Sequence, residues 1–220
     1  MDHADTMDRA SGFDGWLFDM DGTLLTSIPS VERVWGAWAE RNGIEVESFL
    51  KRIHGVQAIE VVRRENLPGL DPEVEVAHIV RAEMEDMDGT EAIPGAAAFL
   101  SSLPPERWAI VTSAHRRLAM ARLQAVGLPL PKVLICAEDV PRSKPAPDGF
   151  LLGAQRLGVD PARCVVFEDS PAGVCAGEAA GASVIVVSAT HRDPWPGDHP
   201  VIRDYHDPRL KPGGKILSPG

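Results

Sequence analysis

The chain predicts an α/β fold, a parallel sheet between two layers of helices with a small α-helical unit inserted after the first strand. Three observations carry this expectation. From Ile93-Pro94-Gly95 onward, short apolar runs alternate with segments of helical period, which argues for parallel strands covered on both faces. Between about Ile28 and Ala92, helical periodicity stands alone. Ahead of both, the run Trp16-Leu17-Phe18 ends on two carboxylates and a glycine, so the first strand closes at a sharp turn.

After that turn, Val31, Val34, Trp35 and Trp38 recur at i, i+3, i+4 and i+7 and form one apolar stripe. Ser30 is the expected N-cap, and Asn42-Gly43 the stop. Two tryptophans on such a stripe predict packing against neighbouring helices rather than a platform for stacking sugars. A second helix is expected over Gln57–Asn66, with Ile59 and Val62 on its buried side. A third begins near Asp71-Pro72 and carries Val76, Ile79, Val80, Met84 and Met87 at helical spacing, and the unit shows no strand signal.

In the second half, helices are expected over Ala96–Leu103, His115–Val126, Pro147–Leu157 and Ala172–Ala180. Strands are expected over Trp108–Thr112, Val133–Ile135, Cys164–Phe167 and Ser183–Val187. The tail from Asp193, with many prolines and glycines, reads as surface loop plus a short edge segment. The architecture is therefore Rossmann-like and three-layered, with residues 13–27 and 93–220 in the α/β core and residues 28–92 in the helical unit. Residues 1–12 are expected to be a flexible N-terminus.

At 220 residues the chain can hold one substantial core and a smaller accessory unit. A net charge of −10 argues against nonspecific attraction to nucleic acid or to an anionic membrane surface. No apolar stretch approaches the roughly 20 residues that a spanning helix needs, and Met1-Asp2-His3-Ala4-Asp5 is acidic rather than signal-like. Cys136, Cys164 and Cys175 show no C-x-x-C spacing and leave one thiol unpaired under any single disulfide, which fits a reducing, cytoplasmic setting and favours buried structural thiols over metal ligands. Without an obvious apolar interface, the chain is expected to be a monomer.

The chemistry begins at Asp19 and Asp21. Acids at i and i+2 of an extended backbone point to the same side, where they repel each other. A hard divalent cation relieves that repulsion, and Mg²⁺, which also coordinates substrate phosphate, suits such oxygen-rich sites. The alternative is an acidic turn after a strand. Three further segments decide between them: Ala109-Ile110-Val111-Thr112-Ser113, an apolar run ending on hydroxyls; Ser143-Lys144-Pro145, in a proline-rich loop; and Val165 through Gly173, a strand ending on Glu168 and Asp169. Ligands of open parallel sheets bind beyond the carboxyl ends of the strands, where Asp19, Thr112 and Asp169 emerge.

With these four segments in order, the chain resembles the haloacid dehalogenase superfamily of phosphohydrolases, whose motifs are D-x-D-G-T, a Ser or Thr after the second strand, a Lys and a terminal acid pair. The resemblance covers about Phe13 to Ala189. It is nearest to the capped sugar-phosphate phosphatases, among them those acting on glycerol phosphate and 2-deoxyglucose 6-phosphate, through Trp108–Ser113, Lys144–Asp148, Leu151-Leu152-Gly153-Ala154 and Phe167–Gly173.

The resemblance implies a Mg²⁺-dependent phosphatase of small phosphorylated sugars or polyols. Asp19 would be the nucleophile, forming an aspartyl-phosphate, and Asp21 would protonate the leaving alkoxide and then activate water. The metal set would be Asp19, the Asp21 backbone carbonyl and Asp169, with Glu168 acting through a bridging water. Lys144 would balance charge on Asp19 and the phosphoryl group, and Thr112 with the Ser113 N–H would hold the remaining oxygens. The helical unit would be the cap, hinged near Ser27-Ile28-Pro29 and Ala92-Ile93-Pro94. Its segment Ile53-His54-Gly55-Val56-Gln57 makes His54 and Gln57 the candidates for recognising substrate hydroxyls.

Rival readings stay within reach of the residues. Similar phosphomutases carry G-V-S-R in the cap, where an arginine holds a second phosphate; here the run is Gly55-Val56-Gln57-Ala58. A phosphonate hydrolase needs a cap lysine for a Schiff base, and Lys51 is the one lysine there. Dehalogenases lack the second acid, which is present as Asp21. A noncatalytic phosphosugar sensor on the same scaffold is the reading from another class.

Overall fold

The computed structural model describes residues 12–53 and 55–216. In chain order, β1 (Gly15–Phe18) and β2 (Leu25–Thr26) precede four helices, α1 (Ile28–Arg41), α2 (Val46–Leu50), α3 (Ala58–Glu65) and α4 (Pro72–Glu85). Then come β3 (Glu91–Ala92), α5 (Ala96–Ser102), β4 (Trp108–Val111), α6 (Arg116–Ala125) and β5 (Val133–Ile135). The chain continues through α7 (Asp148–Leu157), β6 (Cys164–Glu168), α8 (Pro171–Ala179), β7 (Ser183–Val187) and β8 (Val201–Ile202). The expected flexible N-terminus lies, apart from Gly12, outside the described residues.

Six strands form one parallel sheet in the order β5-β4-β1-β6-β7-β8. Side chains alternate across it as the two-residue strand period requires. Trp16, Phe18, Trp108, Ile110, Val165 and Phe167 enter one hydrophobic cluster, beneath α5 and α6. Leu17, Ala109, Val111, Cys164 and Val166 enter a second, beneath α7 and α8. Phe18 and Phe167 stack at 4.8 Å in the first layer, so the two central strands are clamped immediately below their carboxyl ends. β8 is the short edge segment expected in the tail, paired parallel to β7.

Helices α1–α4 enclose a third cluster built on Trp35, Trp38, Phe49, Val62 and Ile79. Trp38 is 2% exposed and stacks on Phe49 at 5.6 Å, which confirms packing for that ring. Asp71 caps α4 by accepting from the Glu73 and Val74 amides, and Asn66 ends α3 in the left-handed region at φ 47°.

Five details of the elements depart from the sequence reading, the first being that α4 stops at Glu85, with Met84 exposed and Met87 beyond its end. The N-cap position of α1 falls to Ser27 rather than Ser30, which is buried inside the first turn with its hydroxyl donating to the Ser27 carbonyl. On α3 it is Val61 and Val62 that are fully buried, Ile59 being only partly so. A five-residue helix, α2, falls between the expected first and second helices, and its N-cap is a glutamate, Glu45, outside the usual capping set. Strand structure also touches the helical unit at both crossings, where β2 pairs antiparallel with β3 through Leu25 with Ala92 and Thr26 with Glu91. Two-residue strands carry no period to read; their pairing follows from the chain leaving and re-entering the core at one place.

Burial pushes the thiols of Cys136 and Cys164 up, to about 12 and about 11, as inert structural cysteines should be. Cys175 departs from that reading, being exposed on α8. Among the described residues no helix is long and apolar enough to cross a membrane.

Candidate active site

The register of the central strands levels three chain ends at one edge. Phe18 pairs with Ile110 on one side and with Phe167 on the other, so Asp19, Thr112 and the Glu168-Asp169 pair leave the sheet together. The Asp19 amide donates to the Phe167 carbonyl at 2.9 Å, and the Thr112 amide to the Ile135 carbonyl at 2.9 Å. Gly22 then turns the chain at φ +92°, and a Cβ there would overlap the Asp169 carboxylate. The turn and the end of β6 approach each other only because position 22 is glycine.

Lys144 reaches this edge from the loop before α7. Its ammonium donates to Asp19 Oδ1 at 2.5 Å, to Glu168 Oε1 at 2.7 Å and to the Val111 carbonyl at 3.3 Å. Glu168 is fully buried. Its other oxygen accepts from the amides of Asp169 and Ser170, at 2.8 and 2.7 Å, and from the Ser170 hydroxyl at 3.0 Å. Gly173, in the first turn of α8, leaves the space that Glu168 occupies, for a Cβ there would collide with its carboxylate. Glu168 thus holds the lysine and the start of α8, with both oxygens engaged.

The charges do not balance. Asp19, Glu168 and Asp169 offer carboxylate oxygens all within 4.8 Å of one another, against the single ammonium of Lys144. Burial pushes the Asp19 carboxyl up to about 7, with Lys144 opposing and Glu168 adding to the rise. Asp169 is held well above the carboxylate range by burial and by repulsion from Glu168 and Asp19. Burial works against the charge on Lys144 too, but the two carboxylates win and hold its pKa above the usual value. Three carboxyl groups on hard oxygen donors, whose ionisation one ammonium does not offset, fit a divalent cation.

Thr112 Oγ1 accepts the Ala114 amide at 3.1 Å, which leaves its hydroxyl proton to donate outward. The Ser113 hydroxyl donates to the Gly55 carbonyl at 3.1 Å, joining the core to the helical unit. Asp21 Oδ1 accepts from the Ser27 hydroxyl at 2.7 Å and from Arg122 Nη1 at 3.0 Å. Ser27 makes no cap bond to α1 because its hydroxyl is turned to Asp21.

Asp19, Asp21, Thr112, Ser113 and Asp169 open on one cavity of about 950 Å³. Its far wall comes from the helical unit, with Val31, Trp35, Leu50, Ile53 and Val80 on it and Glu32, Glu47, Lys51 and Glu83 among them. Trp35 is therefore both core and wall. Gln57 does not line this cavity: it is 9% exposed and donates to the Ala137 carbonyl at 3.4 Å, beside Lys144 in a void of about 20 Å³. The N-cap position of α3 turns its side chain to the core instead of the substrate space. His54 lies outside the described residues.

The sequence reading missed three members of this constellation. Arg122 on α6 is 3% exposed, Glu83 on α4 is 5% exposed, and they pair at 3.0 Å beside Asp21. Ser27 is the third. A signal was present for the first two. Arg122 stands in the stripe Leu118, Ala119, Leu123 of α6, and Glu83 in the stripe Val76, Ile79 of α4. A charge inside an apolar stripe signals a buried group in need of a partner, without naming that partner.

A profile of haloacid dehalogenase-like hydrolases matches residues 13–181. Hexitol phosphatase A of Escherichia coli (strain K12) is 46% identical to this chain over 194 residues, covering 86% of the chain and 87% of that protein. Glycerol-1-phosphate phosphohydrolase 2 of Saccharomyces cerevisiae is 34% identical over 187 residues, with coverages of 79% and 74%. Among solved structures, a hydrolase of the same family from Deinococcus radiodurans R1, crystallised with bound phosphate and sodium, is 28% identical at a TM-score of 0.63, covering 90% of this chain and 93% of that one. On this match over most of its length, and with the acidic strand ends in place, the chain belongs to the haloacid dehalogenase-like hydrolase family.

Proposed function

We propose that the chain is a Mg²⁺-dependent phosphatase that hydrolyses small phosphorylated polyols and sugars, hexitol phosphates foremost, through an aspartyl-phosphate on Asp19. The observation that carries it is the buried Asp19 carboxylate, hydrogen-bonded to Lys144 and clustered with Asp169 in the lining of a cavity. The relatives named as phosphatases of hexitol and glycerol phosphates support the substrate class.

Asp19 and Asp169, with the Asp21 carbonyl, would hold the cation, which when bound would neutralise charge on the nucleophile and on the phosphoryl oxygens. The rest falls to the chain. Lys144 fixes Asp19 Oδ1 and keeps the second oxygen available for attack at phosphorus. The Thr112 hydroxyl and the Ser113 N–H, which meets no acceptor among the described residues, donate to the equatorial oxygens. Asp21 gives its proton to the departing alkoxide, then takes one from the water that cleaves the aspartyl-phosphate. Residues 28–92 act as a cap on the core of residues 13–27 and 93–220, closing over the leaving group.

Specific features favour hydrolysis over its rivals. Ala58 lines the cavity with a methyl group where a second phosphate would need a cation. Lys51 is exposed and paired with Glu47 at 2.7 Å, which does not suit a Schiff-base amine. The test is phosphate release from a panel of hexitol, pentitol, glycerol and hexose phosphates, with Mg²⁺ and with a chelator. We expect hexitol phosphates to lead in kcat/KM and the chelator to abolish release. Sugar-phosphate binding with no release under either condition would make the protein a sensor instead.

The metal reading has a stability signature. The folded pKa of Asp19, about 7, lies above the ordinary 3.8, so its contribution to stability is complete below the unfolded value and is lost as pH rises through about 7. Metal-free protein should accordingly melt lower at pH 8 than at pH 5. Mg²⁺ at a hundred times its Kd should raise the melting temperature by about 5 °C or more at pH 8, and by much less at pH 5, where protons compete. Equal Mg²⁺ shifts at both values would place the cation elsewhere.

A further inference from the structure

Arg122 has no counterpart in the motifs, yet it is paired with Asp21 inside the site. It projects from α6 with its side chain 4% exposed. One arm of its fork donates to Asp21 Oδ1 and the other to Glu83 Oε1, both at 3.0 Å. Glu83 belongs to α4, in the helical unit, and its side chain is 6% exposed. A single buried guanidinium therefore joins the turn after β1 to α4 of the other unit.

The atoms on Asp21 are unequal. Oδ1 takes both donors, Ser27 Oγ at 2.7 Å and Arg122 Nη1, whereas Oδ2 accepts from no described residue. Two donors on one oxygen fix the plane of the carboxylate and leave the other oxygen to face the cavity. Burying an arginine between two carboxylates gives little net stability compared with apolar packing, so its value at this place lies in geometry. If α4 moved away, Glu83 would go with it, and Arg122 would lose half of what compensates its charge.

We propose, resting on the phosphatase reading above, that Arg122 is a positioning residue that holds Asp21 with Oδ2 toward the leaving-group oxygen, and that α4 completes this hold through Glu83 when it is docked on the core. Docking of the cap is thereby sensed at the group that moves the proton.

The test uses leaving groups that differ in their need for that proton. A hexitol phosphate expels an alkoxide and requires protonation; 4-nitrophenyl phosphate expels a stable aryloxide and does not. kcat/KM covers the steps up to leaving-group departure, so it isolates the first proton transfer. With the full chain in saturating Mg²⁺, we expect Arg122→Met to lower kcat/KM for the hexitol phosphate by about a hundredfold and for the aryl phosphate by about threefold or less. Arg122→Lys and Glu83→Gln should move the ratio the same way by about tenfold, and they carry the comparison should the methionine variant not fold. In an Asp21→Asn background, Arg122→Lys should change the hexitol rate no further. Equal losses on both substrates, or none, would make Arg122 a packing residue and overturn the proposal. A wild type inert toward both substrates would instead overturn the phosphatase reading itself.

Discussion

Asp19→Asn is expected to reduce phosphate release to background, a loss of about 10⁴-fold or more, while the protein stays folded. The amide has the size of the carboxylate, and its oxygen can still accept the Lys144 ammonium, which now lies 2.5 Å from Asp19 Oδ1. What disappears is the nucleophile, because the amide nitrogen has no lone pair free to attack phosphorus. Stability should move the other way. Burial and the neighbouring Glu168 already hold the Asp19 carboxyl up at about 7, so its charge is opposed by its surroundings in the absence of metal. A neutral isostere relieves that opposition, and the chelated variant should melt no lower than chelated wild type at pH 8. Activity and melting temperature falling together would point to structural damage. Turnover at wild-type rates would remove Asp19 from the mechanism.

The sheet and its acidic rim were legible because both rest on local pattern. Each central strand is a short apolar run whose residues divide between the two faces, Trp16 and Phe18 against Leu17, and Asp19, Thr112 and the Glu168-Asp169 pair stand at the ends of such runs. Position in the chain then fixes position at the sheet edge. Arg122 and Glu83 were not legible as a site, since neither has a neighbour in sequence that explains it. Their meaning is a pairing across 39 residues, between helices of different units. Ser27 was hidden for a related reason: it occupies an N-cap position but turns its hydroxyl to Asp21. Gln57 misled in the opposite sense. Polar and next to a glycine-containing turn, it has the chemistry of a substrate contact, and only the docking of α3 on the core shows that its partner is the Ala137 carbonyl. Strand period and motif order report what one segment does; which polar group faces which is decided where two segments meet.

Lys144→Met should separate the two uses of the buried ammonium. Methionine keeps a side chain of similar length but loses the ammonium, which also lies 5.1 Å from the centroid of the Phe150 ring, and it leaves Asp19, Glu168 and Asp169 without that cation. Breaking a buried ion pair by removing one partner costs about 3–5 kcal/mol. We therefore expect a clear fall in melting temperature for the chelated variant at pH 8, and a smaller one at pH 5, where protonation of Asp19 relieves part of the repulsion. Mg²⁺ should restore much of the stability, because a divalent cation supplies the missing charge wherever it sits in the cluster. It should not restore turnover. The ammonium fixes one particular oxygen of Asp19 and is itself held by Glu168 at 2.7 Å, a placement that a cation bound on the Asp169 side does not reproduce. Loss of such a preorganised contact is expected to lower kcat by about 10² to 10³-fold even with Mg²⁺ saturating. Recovery of both stability and rate with Mg²⁺ would show that the site requires positive charge there and not its position, and would reduce Lys144 from an orienting group to a counter-ion.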